Sequence, residues 1–108
     1  MRLYYRILQL LFPAKCILCR TVLKENETDL CRKCRIEAPR CPVLKRRTQF
    51  LDSFAAVWYY ERNVRSALLR FKFQGRRNLA PAFGRMMAMK LLREYPEGFD
   101  VLTWIPVS

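Results

Sequence analysis

Residues 16–34 read CILCRTVLKENETDLCRKC and contain two Cys-x-x-Cys pairs. Cys16 and Cys19 form the first pair, Cys31 and Cys34 form the second, and eleven residues separate them. A Cys-x-x-Cys turn directs two thiolates at one metal ion, and a second turn completes the tetrahedron that Zn²⁺ prefers. The spacing therefore predicts a zinc ribbon with one structural zinc ion.

Two other uses of the cysteines compete with zinc: a redox-active pair and a secreted disulfide framework. A redox pair needs one Cys-x-x-Cys motif beside a β-α unit, whereas this chain has two motifs close together. A disulfide framework needs a secretory signal, but Arg6 and Gln9 interrupt the first apolar run and no small-residue cleavage site follows. The fifth cysteine, Cys41, has no second cysteine two or three residues on, so we expect a bystander thiol.

Composition points to an anionic partner. The chain has 108 residues, 21 Lys and Arg against 9 Asp and Glu, no histidine and a net charge of +12. Four thiolates around one Zn²⁺ would lower this charge to +10, which still favours nucleic acid, a phosphate ligand or an acidic protein surface. No run approaches the roughly 20 apolar residues of a membrane span, so we expect a cytoplasmic protein.

The remainder of the chain predicts an α/β fold. Residues 3–12 place Leu3, Ile7, Leu10 and Leu11 on one helical face before Pro13. The apolar run FAAVWYY at 54–60 favours a buried strand.

Two further helices and a final strand follow. Asn63 is expected to cap a helix with an apolar stripe that includes Val64, Ala67, Leu68 and Phe71, and Pro81 opens another that runs to about residue 95. DVLTWIPVS at 100–108 is read as a strand. Strand, helix, helix, strand indicates a sheet covered by helices.

Residues 39–48 are rich in proline and basic side chains and are the best linker. We therefore divide the chain into two parts. Residues 1–48 hold the N-terminal helix, the zinc ribbon and the basic linker, and residues 49–108 hold the α/β part.

Four segments, LLFPAKCILC, LCRKC, FKFQGRRNLAPAFG and DVLTWIPVS, resemble in this order the first half of the ComF family of competence-related, phosphoribosyltransferase-like proteins. The resemblance implies a zinc ribbon fused to the first part of a type I phosphoribosyltransferase-like domain. It also implies a link to handling single-stranded DNA during natural transformation. The family often has a further Cys-x-x-Cys pair, which Cys41 alone replaces here, in keeping with one zinc ion.

A second departure concerns catalysis. The family's RGFNQ segment and its acidic loop for phosphoribosyl pyrophosphate would follow the final strand, and neither is in this sequence. A terminal strand without ladder partners also suggests truncation. We therefore expect a non-catalytic, truncated competence accessory. The alternatives are a fragment of a phosphoribosyltransferase and a docking module for a helicase-like partner.

A basic surface is the candidate site for single-stranded DNA or another phosphate ligand. The stretch RFKFQGRR interleaves cations with aromatic rings at a helix end, and LKRR adds more charge. Either the cations are solvated and favour the helix C-terminus, or they track phosphates beside a stacking ring. The candidates are Lys45, Arg46, Arg47, Arg70, Lys72, Phe73, Arg76 and Arg77.

A second group of cations flanks the predicted metal site, and two explanations for it stay open. The cations could offset the charge of the zinc thiolates, or they could bind phosphate. They are Lys15, Arg20, Arg32, Lys33 and Arg35.

Overall fold

The computed structural model describes residues 1–42 and 48–106. Within those ranges the regular elements are helices: α1 (Arg2–Leu11), α2 (Arg32–Glu37), α3 (Arg62–Phe73), one 3-10 turn (Arg77–Leu79) and α4 (Ala80–Glu94). The two antiparallel contacts there are isolated bridges, and no sheet is formed. The predicted α/β fold with a phosphoribosyltransferase-like part is therefore wrong, and the described chain is helical.

The predicted N-terminal helix is confirmed as α1, but its apolar face is not covered. None of its residues is buried, and Leu3, Leu10 and Leu11 are each more than half exposed. The period of apolar residues thus identified the helix without identifying a packing partner.

The zinc-ribbon segment folds as a tight turn followed by a short helix. Lys15 and Val22 form a bridge, and the Cys16 N–H donates to the Thr21 carbonyl at 2.8 Å. The chain then returns through residues 24–30, where the Ile17 N–H reaches the Asp29 carbonyl at 2.9 Å. α2 begins directly after Cys31, so both cysteine pairs lie at the same end of the segment.

Helices α3 and α4 confirm the two helices predicted after residue 60. Val64 and Ala67 of α3 are buried, and Phe71 packs on Phe83 of α4 with ring centroids 5.4 Å apart. Gly75, at φ +66°, turns the chain between them in a conformation that costs other residues about 1 kcal/mol or more.

One hydrophobic cluster joins the ribbon to the two helices. Leu18 and Val64 are its largest almost fully buried side chains, and burying each contributes about 1.5–3 kcal/mol. The division at residue 48 stays a prediction, although buried residues from both sides share this cluster. Its buried members are Cys16, Ile17, Leu18, Leu30, Cys31, Cys34, Ala38, Val64, Ala67 and Ala82.

The two predicted strands are not formed in the residues described. In 54–60, Trp58 makes only an isolated bridge to Arg40, and its half-buried ring packs against the cluster. Residues 101–106 have no regular structure and are exposed, while 107 and 108 lie outside the described residues. An apolar run of this length does not by itself determine a buried strand. Since residues 101–106 form no strand, the predicted truncation has no support from a terminal strand.

No helix among residues 1–42 and 48–106 combines the length and the apolar character needed to cross a membrane.

Candidate metal centre and adjoining basic surface

The four cysteine sulfurs converge on one point. The Sγ atoms of Cys16, Cys19, Cys31 and Cys34 all lie within 4.8 Å of one another, and Cys19 Sγ is 3.6 Å from Cys31 Sγ. A tetrahedron with Zn–S bonds of about 2.3 Å has sulfurs roughly 3.8 Å apart. The cluster therefore fits one zinc ion with a small contraction of its longest edges, as the sequence predicted.

Backbone geometry aims the first pair of thiols. The Arg20 N–H donates to the Cys16 carbonyl at 3.0 Å, which closes the turn between Cys16 and Cys19. This closure places Arg20 at φ 68°, the left-handed region that favours glycine. An arginine therefore occupies a strained position directly beside the metal centre.

The second pair is aimed by the start of α2. Cys31 caps this helix, and its Sγ accepts a hydrogen bond from the Cys34 N–H at 3.4 Å. Glu27 holds the preceding turn, because its two carboxylate oxygens accept the N–H groups of Lys24 at 2.9 Å and Arg32 at 3.0 Å. The hydrogen bond from Lys24, followed by that from Arg32, lowers the pKa of Glu27.

Without metal, the thiols of this cluster differ in their pKa values. Burial raises the pKa of Cys19, but hydrogen bonds with Thr21, Cys31 and Cys34 outweigh it and lower that pKa to about 6. Burial, followed by hydrogen bonds with the other three thiols, raises the pKa of Cys34. The Cys34 N–H lowers the pKa of Cys31, yet burial and the hydrogen bonds with the thiols of Cys19 and Cys16 raise it overall. Zinc must therefore displace protons held on the second pair.

A residue of α3 supports the thiolates from outside the ribbon. The Asn63 side-chain Nδ2 lies 3.7 Å from Cys34 Sγ and donates to it. The sequence predicted Asn63 as a helix cap, but α3 begins at Arg62 and Asn63 lies in its first turn without a capping hydrogen bond. Its role toward the sulfur had no signal in the sequence, because Asn63 and Cys34 lie 29 positions apart in the chain.

Arg70 links α3 to the back of the first cysteine turn. Its Nη2 donates to the Leu18 carbonyl at 2.7 Å and, at 3.5 Å, to that of Ile17. Burial, and then the charges of Arg20 and Arg76, lower the pKa of Arg70. Arg20 and Arg76 therefore each lie close enough to Arg70 to repel its charge.

The predicted residues of the basic surface that the structure describes differ in their exposure to solvent. Arg70 is half-buried, whereas Lys72, Phe73, Arg76 and Arg77 are exposed around the turn that follows α3. We call residues 70–77 the basic-aromatic turn. The candidates Lys45, Arg46 and Arg47 lie outside the described residues.

Cys41 is buried but lies apart from the metal cluster. Its N–H donates to the Val57 carbonyl at 3.1 Å, and its carbonyl accepts from Lys90 Nζ at 2.9 Å. The backbone of Cys41 therefore connects the chain after α2 to α4. That the Cys41 thiol has no role of its own stays a prediction.

Comparison with known families supports the ribbon. Residues 7–50 match the model of the family described as Double zinc ribbon domain. This segment holds all five cysteines and no histidine, so it supplies one complete four-cysteine site. No curated protein and no solved structure matches the chain.

Proposed function

We propose that this protein is a non-catalytic, zinc-stabilised module that binds single-stranded nucleic acid through its basic-aromatic turn. The net charge of +12 supplies long-range attraction to phosphates, and zinc binding would leave +10. The four-cysteine centre is structural, since its thiolates fill the coordination shell and leave no open position for a substrate.

The observation that carries this proposal is that one of two nearby phenylalanine rings is packed and the other is exposed. Phe71 packs on Phe83, whereas Phe73 is 77% exposed, although only one residue separates Phe71 from Phe73 at the end of the same helix. Exposed Lys72, Arg76 and Arg77 surround the ring of Phe73 in the sequence. An exposed ring among cations is the arrangement on which nucleic-acid bases stack while the backbone is neutralised, with little sequence preference.

The biological setting that fits best is that of a cytoplasmic competence accessory handling DNA taken up by the cell. The resemblance of the four sequence segments to the ComF family supports this setting, and the ribbon match is compatible with it. Zinc ribbons are a common element of nucleic-acid-binding proteins, which supports the partner class without naming the partner.

Binding of labelled oligothymidylate over a range of salt concentrations tests this function. Each phosphate neutralised in a single strand contributes about −0.7 to the slope of log K against log salt. Replacing Arg76 and Arg77 together by Ala should therefore flatten the slope by about one to one and a half. The double variant Arg62→Ala, Arg65→Ala removes two exposed arginines from the start of α3 and should keep the parent slope. Equal slopes in both double variants would reject the basic-aromatic turn as the binding surface.

A second candidate function is a docking module for a helicase-like protein. The uncovered apolar face of α1, with Leu3, Leu10 and Leu11, supports it, as do the exposed Trp104 and Ile105. Apolar docking depends little on salt, so a partner complex that persists at high salt without DNA would favour this candidate.

A further inference from the structure

A pocket lies between the first cysteine turn and the end of α3, and four cations line it. Lys15 and Arg20 come from the ribbon, while Arg70 and Arg76 come from α3 and the turn after it. The pocket has a volume of about 530 Å³, and its described lining includes no Asp or Glu. We call these four residues the cation pocket.

The cations of this pocket have few hydrogen-bond or ion-pair partners among the described residues. Within residues 1–42 and 48–106, the side chains of Lys15, Arg20 and Arg76 form no hydrogen bond and no ion pair. Arg70 donates only through Nη2 to the carbonyls of Leu18 and Ile17. A guanidinium has five N–H donors in total. Donors on Nε and Nη1 of Arg70 therefore stay available to a ligand.

The zinc thiolates do not account for all of this positive charge. Four thiolates and one Zn²⁺ carry a net charge of −2, and Cys16 alone of the four lines the pocket. Four cations against that charge leave at least two in excess. Like charges held together without a counter-ion are unfavourable, and an anion with several oxygen acceptors would relieve the repulsion.

The turn around Cys16 and Cys19 also brings Arg20 to the pocket. The hydrogen bond from the Arg20 N–H to the Cys16 carbonyl holds the backbone of Arg20 at φ 68°, a conformation that favours glycine. The side chain of Arg20 lines the pocket together with the three other cations.

We propose that the cation pocket binds a phosphate group of a single-stranded nucleic acid. The identity of the phosphate's carrier rests on the proposed function, whereas the phosphate site itself rests on the pocket. The group is either a terminal phosphate monoester or a diester of the backbone, and both offer non-bridging phosphate oxygens as acceptors to the arginines. The pocket shares Arg70 and Arg76 with the basic-aromatic turn. We therefore expect a strand that is bound in the pocket to reach Phe73 as well.

Two matched variants test the site. Arg20→Gly removes one pocket charge while placing glycine where the backbone favours it, so the fold should tolerate the change. Arg62→Gly makes the same replacement at another left-handed residue, φ 50°, at the exposed start of α3 and outside the pocket lining. Arg62 loses only an exposed contact with Glu61 at 3.6 Å, which contributes little to stability.

The first measurement uses inorganic phosphate and the zinc-loaded protein. We expect phosphate, but not chloride at equal ionic strength, to shift the arginine Nε–Hε resonances of Arg20, Arg70 and Arg76. Arg20→Gly should weaken phosphate binding roughly tenfold, as expected for one charge-assisted hydrogen bond, and Arg62→Gly should not. Equal phosphate affinities of the two variants would overturn the site. A lower zinc affinity of Arg20→Gly with unchanged phosphate binding would do so too, because Arg20 would then serve the thiolates.

The second measurement compares oligothymidylates of equal length with a 5′-phosphate or a 5′-hydroxyl. A preference for the 5′-phosphate that Arg20→Gly abolishes assigns the pocket to a terminal monoester. Equal affinities that fall together in Arg20→Gly assign it to the backbone. DNA binding that is unchanged in Arg20→Gly rejects the pocket and leaves the proposed function intact. Binding of inorganic phosphate without any binding of DNA rejects the proposed function and leaves the phosphate site intact. Should Arg20→Gly fail to load zinc, Lys15→Ala repeats both measurements, since Lys15 is exposed and lines the pocket but lies outside the basic-aromatic turn.

Discussion

Arg85 of α4 and Asp29 of the ribbon form a bidentate salt bridge, with Nε to Oδ2 at 2.8 Å and Nη2 to Oδ1 at 2.6 Å. Asp29 stands two residues before the metal ligand Cys31, and its own carbonyl accepts the Ile17 N–H. The bridge therefore fixes the loop between the two cysteine pairs to the helical part of the chain. Paired parallel hydrogen bonds of this kind restrict geometry as well as adding energy.

Arg85→Gln should lower the melting temperature of the zinc-loaded protein, because it leaves the largely buried Asp29 carboxylate without its partner. Arg93→Gln removes an exposed arginine from the same helix and serves as the control. Equal melting temperatures of the two variants would mean that the bridge adds nothing to stability.

The pH dependence of this difference follows from Asp29. The hydrogen bond with Arg85 lowers the pKa of Asp29, so the bridge stabilises the fold at pH values above the unfolded-state pKa of about 3.9. This stabilisation is lost as the pH falls through the lower folded-state pKa. The difference between parent and Arg85→Gln should therefore stay constant from pH 8 to pH 6, and a difference that changes there would contradict the assignment to Asp29.

Zinc content gives the most direct check of the metal centre. The purified protein should contain about one zinc per chain, and Cys16→Ser or Cys34→Ser should abolish it, since each removes one of four ligands. Cys41→Ser should leave the zinc content unchanged, because this thiol lies apart from the cluster. Two zinc ions per chain, or zinc loss in Cys41→Ser, would require a different ligand set.

The cysteine pairs and the helices were predictable because their signals are local. Two Cys-x-x-Cys turns determine a metal site by spacing alone, and Pro81 marks the start of α4 within two residues. The apolar run 54–60 was misread as a buried strand: Trp58 is only half-buried, Tyr59 and Tyr60 are exposed, and no sheet forms in the described residues. Nor could spacing reveal contacts such as Arg70 with the Leu18 carbonyl, across 52 residues.

Zinc affinity should fall as the pH is lowered from 8 to 6. Cys31 and Cys34 hold their protons more tightly than an ordinary thiol, so zinc must displace both, whereas Cys19, with a pKa of about 6, is largely ionised at neutral pH. Competition with a zinc indicator across this range should give a slope that corresponds to at least these two protons. An affinity that does not vary with pH would contradict the proton distribution.

Phe73→Ala should reduce affinity for oligothymidylate by about 1–3 kcal/mol, the contribution of one stacked base, and leave the melting temperature unchanged. Phe71→Ala is the matched control on the same helix. Because Phe71 packs on Phe83, its removal should lower the melting temperature and, under folding conditions, leave DNA affinity near that of the parent. If Phe73→Ala binds DNA as tightly as the parent, the exposed ring is not a stacking platform.

Asn63 gives a test of how α3 acts on the metal. Its Nδ2 donates to Cys34 Sγ at 3.7 Å, and a donor to a ligating thiolate stabilises the charge that zinc requires. Asn63→Ala should therefore weaken zinc binding roughly tenfold, within the range found for groups that orient metal ligands. Asn26→Ala removes an exposed amide from the ribbon loop and should keep the parent affinity. Equal zinc affinities of the two variants would show that Asn63 does not influence the metal, and that α3 supports the ribbon through the apolar contacts of Val64 and Ala67 and the hydrogen bonds of Arg70.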